Sequence, residues 1–409
     1  MSESVTQKTV LQLLSAAMFQ KPFGAEKEVD WKAVFDECRA QSVVSLAFSA
    51  LPKNAVPQKL YAQWKAVVNE SLAVNSKISY AHTMLNQLMN QAQIPYVILK
   101  GCASAEYYDD PLLRTMGDVD FYVPSDYSEK TDKLLMKYGF HSNEVDHEYE
   151  KAYTKDDVVF ELHNTVNGVP GGKVGAEIRH YFDDVFEKSS LKHFDLAEYY
   201  SPSPFHHGLI MLLHVARHMV TGGIGLRHFC DWAVFVDKVS DDFTSMFEDK
   251  LKRVGLWRFV QIMTQFCMVY LGLSQQDWAG EDDKQLLSDL KDDVFAGGNF
   301  GHKDLTRADE AKFITSRKKG TVNNDSALKQ AVISANEIVR KHWKFVDKMP
   351  VVYPFGWLFF GGRYAIKVAF GKRDKVKVKA LVEGAEKRKE IYLQMDLFKI
   401  HYEDKDGYS

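Results

Sequence analysis

The sequence predicts an α+β fold: a small β-sheet in the middle of the chain, helices before it and a mostly helical C-terminal region. Three observations predict it. Short apolar runs, Tyr96 to Leu99, Val119 to Val123 and Val158 to Thr165, are rich in β-branched and aromatic residues and end at turn residues or proline, as buried strands do. Residues 59–93 hold neither proline nor glycine, and Leu60, Trp64, Val67, Val68, Leu72, Ile78, Leu85 and Leu88 recur at spacings near three, four and seven. That is the pattern of a long amphipathic helix. Beyond Pro202-Ser203-Pro204 the apolar periodicity becomes helical.

Taken in order, residues 4–20 and Trp31 to Leu51 read as the first two helices, and 59–93 as the third. Strand Tyr96 to Leu99 stops at Lys100-Gly101, and Cys102 to Tyr108 suits one or two helical turns before Pro111. Strand Val119 to Val123 ends at Pro124, and Ser125 is placed to cap a helix to Lys137, closed by Gly139. Glu148 to Thr154 and Val158 to Thr165 read as a hairpin turning at Lys155-Asp156-Asp157, and residues 167–172 as a glycine-rich surface loop. Helices follow at Phe205 to Val220, Phe229 to Lys238, Phe243 to Leu271 and Ala327 to Lys348, with a turn-rich break at 296–301. Arg307 to Asp325 reads as a polar, mobile stretch, and Arg363 to Lys389 as a solvated helix in which acids dilute the basic residues.

Composition bounds the class. The 409 residues allow two or three domains; 45% hydrophobic and 26% charged residues are ordinary for a globular chain. A net charge of −3 does not point to nucleic acid as partner, though a local basic patch stays open. Cys38, Cys102, Cys230 and Cys267 form no Cys-x-x-Cys pair, so a reducing, cytoplasmic location is expected. The first residues lack a secretory pattern. The most apolar window, Val351 to Gly371, is interrupted by Gly361-Gly362-Arg363 and Lys367, so no transmembrane segment is expected.

Asp118 and Asp120 stand two apart on a strand and share a face, beside Gly117. Two carboxylates held together repel unless something neutralises them, and an oxygen-preferring divalent cation does so. Glu161 on a later strand is a third carboxylate, although an exposed edge position would also explain it. Arg114 suits either a phosphate or a bridge to Asp109 or Asp110. His163 shares the strand face of Glu161. His214 and His218 lie four apart on a helix, but Val215 stands where a zincin needs glutamate, so zinc is not expected. By helical spacing Arg217 joins that histidine face.

The run Lys100-Gly101 with Ser104, then Pro111-Leu112-Leu113-Arg114, then Gly117-Asp118-Val119-Asp120, then Phe160-Glu161-Leu162-His163 resembles the nucleotidyltransferase superfamily that includes DNA polymerase β and the aminoglycoside nucleotidyltransferases. It is more closely similar to the bacterial uncharacterised nucleotidyltransferase family. The likeness is specific over 94–165 and weaker over 205–235. Cys102 stands where the superfamily carries a second glycine or serine.

The resemblance implies a small mixed β-sheet nucleotidyltransferase core at 94–201, between an N-terminal helical region at 1–93 and a C-terminal helical domain at 202–409. It implies Mg²⁺-dependent transfer of a nucleoside monophosphate from ATP or another NTP to a hydroxyl or phosphate of an unidentified small acceptor. Two Mg²⁺ ions would be held by Asp118, Asp120 and Glu161, which would be the catalytic residues; Lys100, Gly101, Ser104, Arg114 and Gly117 would meet the nucleotide. A helix followed by Leu226-Arg227 and Asp231-Trp232 is also similar, and with the shared face of His214, Arg217 and His218 it puts His214, Arg217, His218, Arg227 and Asp231 on the substrate side; His163, from its strand face, either orients the metal site or meets the substrate, and an Arg–Asp bridge between helices is the plainer use of Asp231. The other reading is an inactive nucleotide-binding or helical scaffold protein that kept the fold. The active site is expected between the sheet and the helices beyond Pro204.

Overall fold

A computed structural model describes residues 4–24, 28–52, 54–142, 150–316, 321–322, 327–369 and 378–399. Helix α1 (Val5–Phe19) opens with a capping box in which Ser4 and Gln7 each satisfy the other's backbone N–H. The single helix expected over 31–51 is two, α2 (Trp31–Ala40) and α3 (Val44–Ser49), because Ser42 takes a positive φ of 56°. Helix α4 (Gln58–Gln91) runs unbroken for 34 residues.

Next come β1 (Val97–Ile98), α5 (Cys102–Ala105), β2 (Asp118–Tyr122), α6 (Ser128–Lys137), β3 (His141–Ser142), β4 (Glu150–Lys155) and β5 (Val158–His163). Ser125 does not cap α6; residues 125–127 make a 3-10 turn ahead of it. The five strands form one sheet in the order β1-β2-β5-β4-β3. Strands β2 and β5 are parallel and every other pair is antiparallel, so the sheet is mixed. Asp156 and Asp157 both take positive φ, which gives β4 and β5 the tight turn a twisted hairpin needs.

Alternation along β2 and β5 sorts the sheet faces. Val119, Phe121, Phe160 and Leu162 are buried in a core shared with Leu135 of α6 and with Ile78, Leu85 and Met89 of α4. The Phe140 and Phe160 rings meet edge to face, centroids 4.9 Å apart. The opposite face carries Asp118, Asp120, Glu161 and His163.

The 167–172 loop then leads into α7 (Gly172–His180) and a hairpin of β6 (Ser190–Phe194) and β7 (Ala197–Ser201), none of which the sequence pattern announces. The loop is not merely superficial. A Cβ at Gly168 would come within 2.4 Å of the carbonyl of Leu213, in the later helix Pro204–Val220, so the turn packs against that helix, where only glycine fits.

The rest is helical: α8 (Pro204–Val220), α9 (Leu226–Val239), α10 (Phe243–Val254), α11 (Trp257–Leu271), α12 (Lys284–Gly297), α13 (Arg307–Ile314), then a short pair β8 (Thr315–Ser316) and β9 (Thr321–Val322), and α14 (Ala327–His342), α15 (Tyr353–Ala369) and α16 (Val378–Gln394). Val10, Leu13, Phe35 and Trp64 from the first helices share a core with Leu213, Phe229, Phe235 and Phe266 from the later ones.

The stretch from Arg307, expected to be polar and mobile, begins as a packed helix: Arg307 is buried with Nη2 2.8 Å from Asp293 Oδ1. Arg388 on α16, expected in solvent, is buried with Nη1 3.0 Å from Glu310 Oε2. Two unpaired buried carboxylates would otherwise result, and buried charge is tolerated only when paired. The Arg317-Lys318-Lys319-Gly320 run and Arg373, Lys375 and Lys377 lie outside the described residues. No described helix is long and apolar enough to cross a membrane.

Candidate active site

Strand pairing places the three carboxylates. The β2–β5 register sets Asp120 opposite Glu161 and Tyr122 opposite His163, and residues in register point to one face. One oxygen of Asp120, one of Glu161 and a ring nitrogen of His163 lie within 4.8 Å of one another. Asp118 is one pleat away on the same face.

Asp120 is buried, and its two oxygens differ. Oδ1 accepts from Lys100 Nζ at 2.7 Å and from His163 Nε2 at 3.0 Å. Oδ2 is buried and has no partner among the described residues. Burial opposes the charge on Asp120, but the Lys100 ammonium and the His163 hydrogen bond outweigh it and hold the carboxyl well below its usual range. Burial likewise disfavours the charged His163 ring, yet hydrogen bonds to Asp120 and Glu161 raise its pKa. Asn167 of the glycine-rich loop meets the other ring nitrogen at 3.3 Å and fixes the ring plane. Asp118 has the opposite balance: the Asp120 charge, then burial, push its pKa up to about 6.

Gly101 joins β1 to α5 at φ 62°, ψ −113°, a conformation that only glycine adopts at no cost. Its missing Cβ lets the Asp118 carbonyl and the His82 ring pack within 3.7 Å of that point.

The loop before β2 is held from two sides. Asn75, buried midway along α4, donates to the Leu112 and Arg114 carbonyls at 2.7 and 2.8 Å and accepts from Met116 N–H at 3.1 Å. Arg114 makes a forked pair with Asp231 of α9, Nε to Oδ1 at 2.7 Å and Nη2 to Oδ2 at 2.8 Å. Tyr108 donates to the same Asp231 Oδ1 at 2.7 Å, and Arg114 Nη1 reaches the Gly101 carbonyl at 3.3 Å. Despite burial, Arg114 keeps the Asp231 carboxyl below its usual range. So Arg114 bridges to Asp231, and not to Asp109 or Asp110; Asp109 meets Lys238 at 3.0 Å.

Between the sheet face and helices α8 and α9 lies a cavity of about 200 Å³. Lys100, Gly101, Ser104, Arg114, Gly117, Asp118 and Asp120 line one side; His214, Arg227, His228, Asp231 and Phe300 line the other. Glu161 and His163 stand beside and behind Asp120. Ser104 is buried and paired with His207 at 3.2 Å.

Arg227 differs from Arg114. Among the described residues its Nη1 reaches the Thr115 carbonyl at 3.3 Å and its Nε has no partner, and its guanidinium sits 5.3 Å from the Phe300 ring centre. Burial and the nearby Arg114 charge lower its pKa.

His214 and His218 do share a face, their ring centres 4.3 Å apart, and His228 stacks on His214 at 5.6 Å. All three are held neutral at ordinary pH, chiefly by burial and then by cations around them; His218 drops to about 3. Arg217 does not join them: it is exposed and absent from the cavity wall. At about 100° per residue, positions 217 and 218 lie on either side of 214, and here the 218 ring packs on Phe300 while the 217 side chain faces out; neither lines the cavity itself.

Phe300, Asn75, Tyr108 and His228 complete the surroundings without having been singled out from sequence. The glycines at 297, 298 and 301 were the only signal; Phe300 itself takes a positive φ of 55°.

A family model described as uncharacterised nucleotidyltransferase matches residues 27–272, more than half of the chain, and the chain belongs to that family. The match takes in both walls of the cavity up to Met263, but not Phe300. No curated protein and no solved structure matches the chain.

Proposed function

We propose that this nucleotidyltransferase-family member moves a nucleoside monophosphate from an NTP to a hydroxyl or phosphate of a small acceptor, with Mg²⁺, and that its core is of the DNA polymerase β type. One observation carries the reading: Asp118 and Asp120 face a cavity with one charge destabilised and one buried oxygen, Asp120 Oδ2, left without a partner. Such groups suit a hard cation, and the Lys100 ammonium on Asp120 Oδ1 occupies the kind of position a cation favours. Asp118, Asp120 and Glu161 would hold two Mg²⁺ ions, whose contribution when bound is to neutralise triphosphate oxygens and acidify the acceptor hydroxyl.

The chain's own groups divide the remaining work. His163 and Asn167 orient Asp120, so its open oxygen keeps one direction. Lys100 and Arg227 bring positive charge to the triphosphate, and Arg227 has donors to spare for a forked phosphate contact. Gly101 and Gly117 let a phosphate approach the backbone, with Ser104 beside them. Arg114 and Asp231 are committed to each other and act as positioning residues that set the cavity's width. The neutral rings of His214 and His228 line the cavity and offer hydrogen bonds without charge to an acceptor, with the Phe300 ring against His228 and the His218 ring packed on His214 and Phe300.

The test is calorimetric titration with each NTP in Mg²⁺, followed by pyrophosphate release over a panel of sugar phosphates and other hydroxylated acceptors. Binding that vanishes in Asp118→Asn and Asp120→Asn, with turnover down at least about a hundredfold, is expected. NTP binding that needs no metal and survives both changes would overturn the reading in favour of an inactive scaffold.

A further inference from the structure

We propose that the outward face of α15 attaches this protein to the surface of an anionic lipid bilayer. The most apolar window of the chain folds as α15, and one side of that helix is occupied. A Cβ at Gly356 would fall within 2.5 Å of Val339 on α14, and Trp357 Nε1 donates to Asn336 of α14 at 3.0 Å.

The other side is bare. Val351 is 76% exposed, Phe355 68%, Leu358 76% and Phe359 54%. Their spacing of four, three and one makes a single stripe along the helix and the turn before it. Phe345 and Met349 extend it from the preceding segment, both 53% exposed. Isolated exposed apolar residues need no explanation, but a contiguous stripe marks something that covers it.

Charge says what covers it. Arg340, Lys341, Lys344, Lys348 and Arg363 are exposed around the stripe, and Asp347 is the one acidic residue in residues 340–363. A second copy of this chain would set cations against cations. An anionic bilayer supplies the complementary charge together with an apolar layer for the rings, and large aromatic side chains favour that boundary. Gly361-Gly362-Arg363 interrupts the apolar run, so the helix suits the plane of the interface rather than a crossing, in keeping with the absence of any spanning helix among the described residues. This rests on none of the residues that line the cavity.

The experiment is co-flotation of the full chain with vesicles of equimolar phosphatidylglycerol and phosphatidylcholine, against vesicles of phosphatidylcholine alone. Binding to the anionic vesicles at about 0.1 M salt, down at least fivefold or so at about 0.5 M, is expected, with little on the neutral ones. Phe355→Asp with Leu358→Asp should cut binding by about tenfold or more, since it removes two large apolar anchors and adds repulsion. Circular dichroism and the thermal midpoint should be unchanged, because both positions are exposed. Lys344→Glu with Lys348→Glu should lower binding without touching the apolar stripe. No co-flotation of the wild type would overturn the proposal, as would equal flotation of the Phe355/Leu358 variant. So would a wild-type dimer, seen by light scattering, that the same variant turns into a monomer; the face would then be a contact between copies.

Discussion

The two ends of the cavity hold the same kinds of group in opposite states of balance. At one end Arg114 and Asp231 are matched: fork to carboxylate, with Tyr108 and the Gly101 carbonyl taking up further hydrogen-bonding capacity. At the other, Asp120 takes the one ammonium and the one imidazole, the pKa of its neighbour Asp118 is driven up, and one buried oxygen of Asp120 has no partner among the described residues. A closed set of charges holds a structure together; an open one is kept for something that arrives. On the function proposed here, partner balance separates positioning residues from ligand-binding ones more sharply than residue type does: Arg114 and Arg227 line the same cavity, and of the two only Arg227 has donors to spare among the described residues.

The closed end should break hardest. Arg114→Ala strands a buried carboxylate and is expected to cost about 3–5 kcal/mol, read from urea unfolding; replacing Arg114 and Asp231 together by Met and Leu should restore most of it. A single change as harmless as the double would show that the pair is not closed.

The open end should respond with opposite signs. Asp120→Asn leaves Lys100 and His163 without their counter-charge and should destabilise by about 2 kcal/mol. Asp118→Asn removes a charge that the fold disfavours and should stabilise by about 1–3 kcal/mol at neutral pH. Two identical substitutions two residues apart would thus move the unfolding midpoint in different directions. Relief of repulsion is expected to dominate at Asp118, and loss of the counter-charge at Asp120.

Acidity sharpens the same contrast. The Asp118 carboxyl titrates near pH 6 when folded and near about 4 when unfolded. Between those values the folded chain binds more protons, so this group's contribution to stability falls as pH rises through the window. The gain from Asp118→Asn should therefore be absent near pH 4 and complete above about pH 7. Thermal midpoints of both proteins across that range would check it; a constant gap would mean the Asp118 pKa is unshifted.

The smallest effect is expected at Arg217. Its side chain is exposed, so Arg217→Ala should leave NTP affinity within about twofold and stability within about 0.5 kcal/mol. A tenfold loss of affinity would return it to the substrate side.

Much of the sheet side of this contrast was legible in sequence because it is local. Lys100-Gly101, Asp118-x-Asp120 and the Glu161 strand are each defined by spacing within a strand or turn, and alternation fixes the face. The helical wall was legible only as periodicity. That marks His214 and His218 as neighbours but cannot say which flank of the helix the cavity meets, and so it admitted Arg217. The Arg114–Asp231 pair spans 117 positions and the Asn75 clamp about 40, and no local pattern carries such contacts. Hairpin β6–β7 was missed because Ser190 to Phe194 is exposed throughout most of its length and shows no apolar alternation.

Helix α4 gives the cavity a mechanical property. Its first half, through Trp64 and Val68, is embedded in the core of the helical body; its second, through Ile78, Leu85 and Met89, is embedded in the core of the sheet. At about 1.5 Å per residue its 34 residues form a beam of about 50 Å, with neither glycine nor proline to bend it. Asn75 at its midpoint grips the loop that carries Arg114. Seated at both ends, the beam ties the sheet to the helical body. Opening the cavity by a swing of one wall would have to break one of the two cores in which the beam is seated.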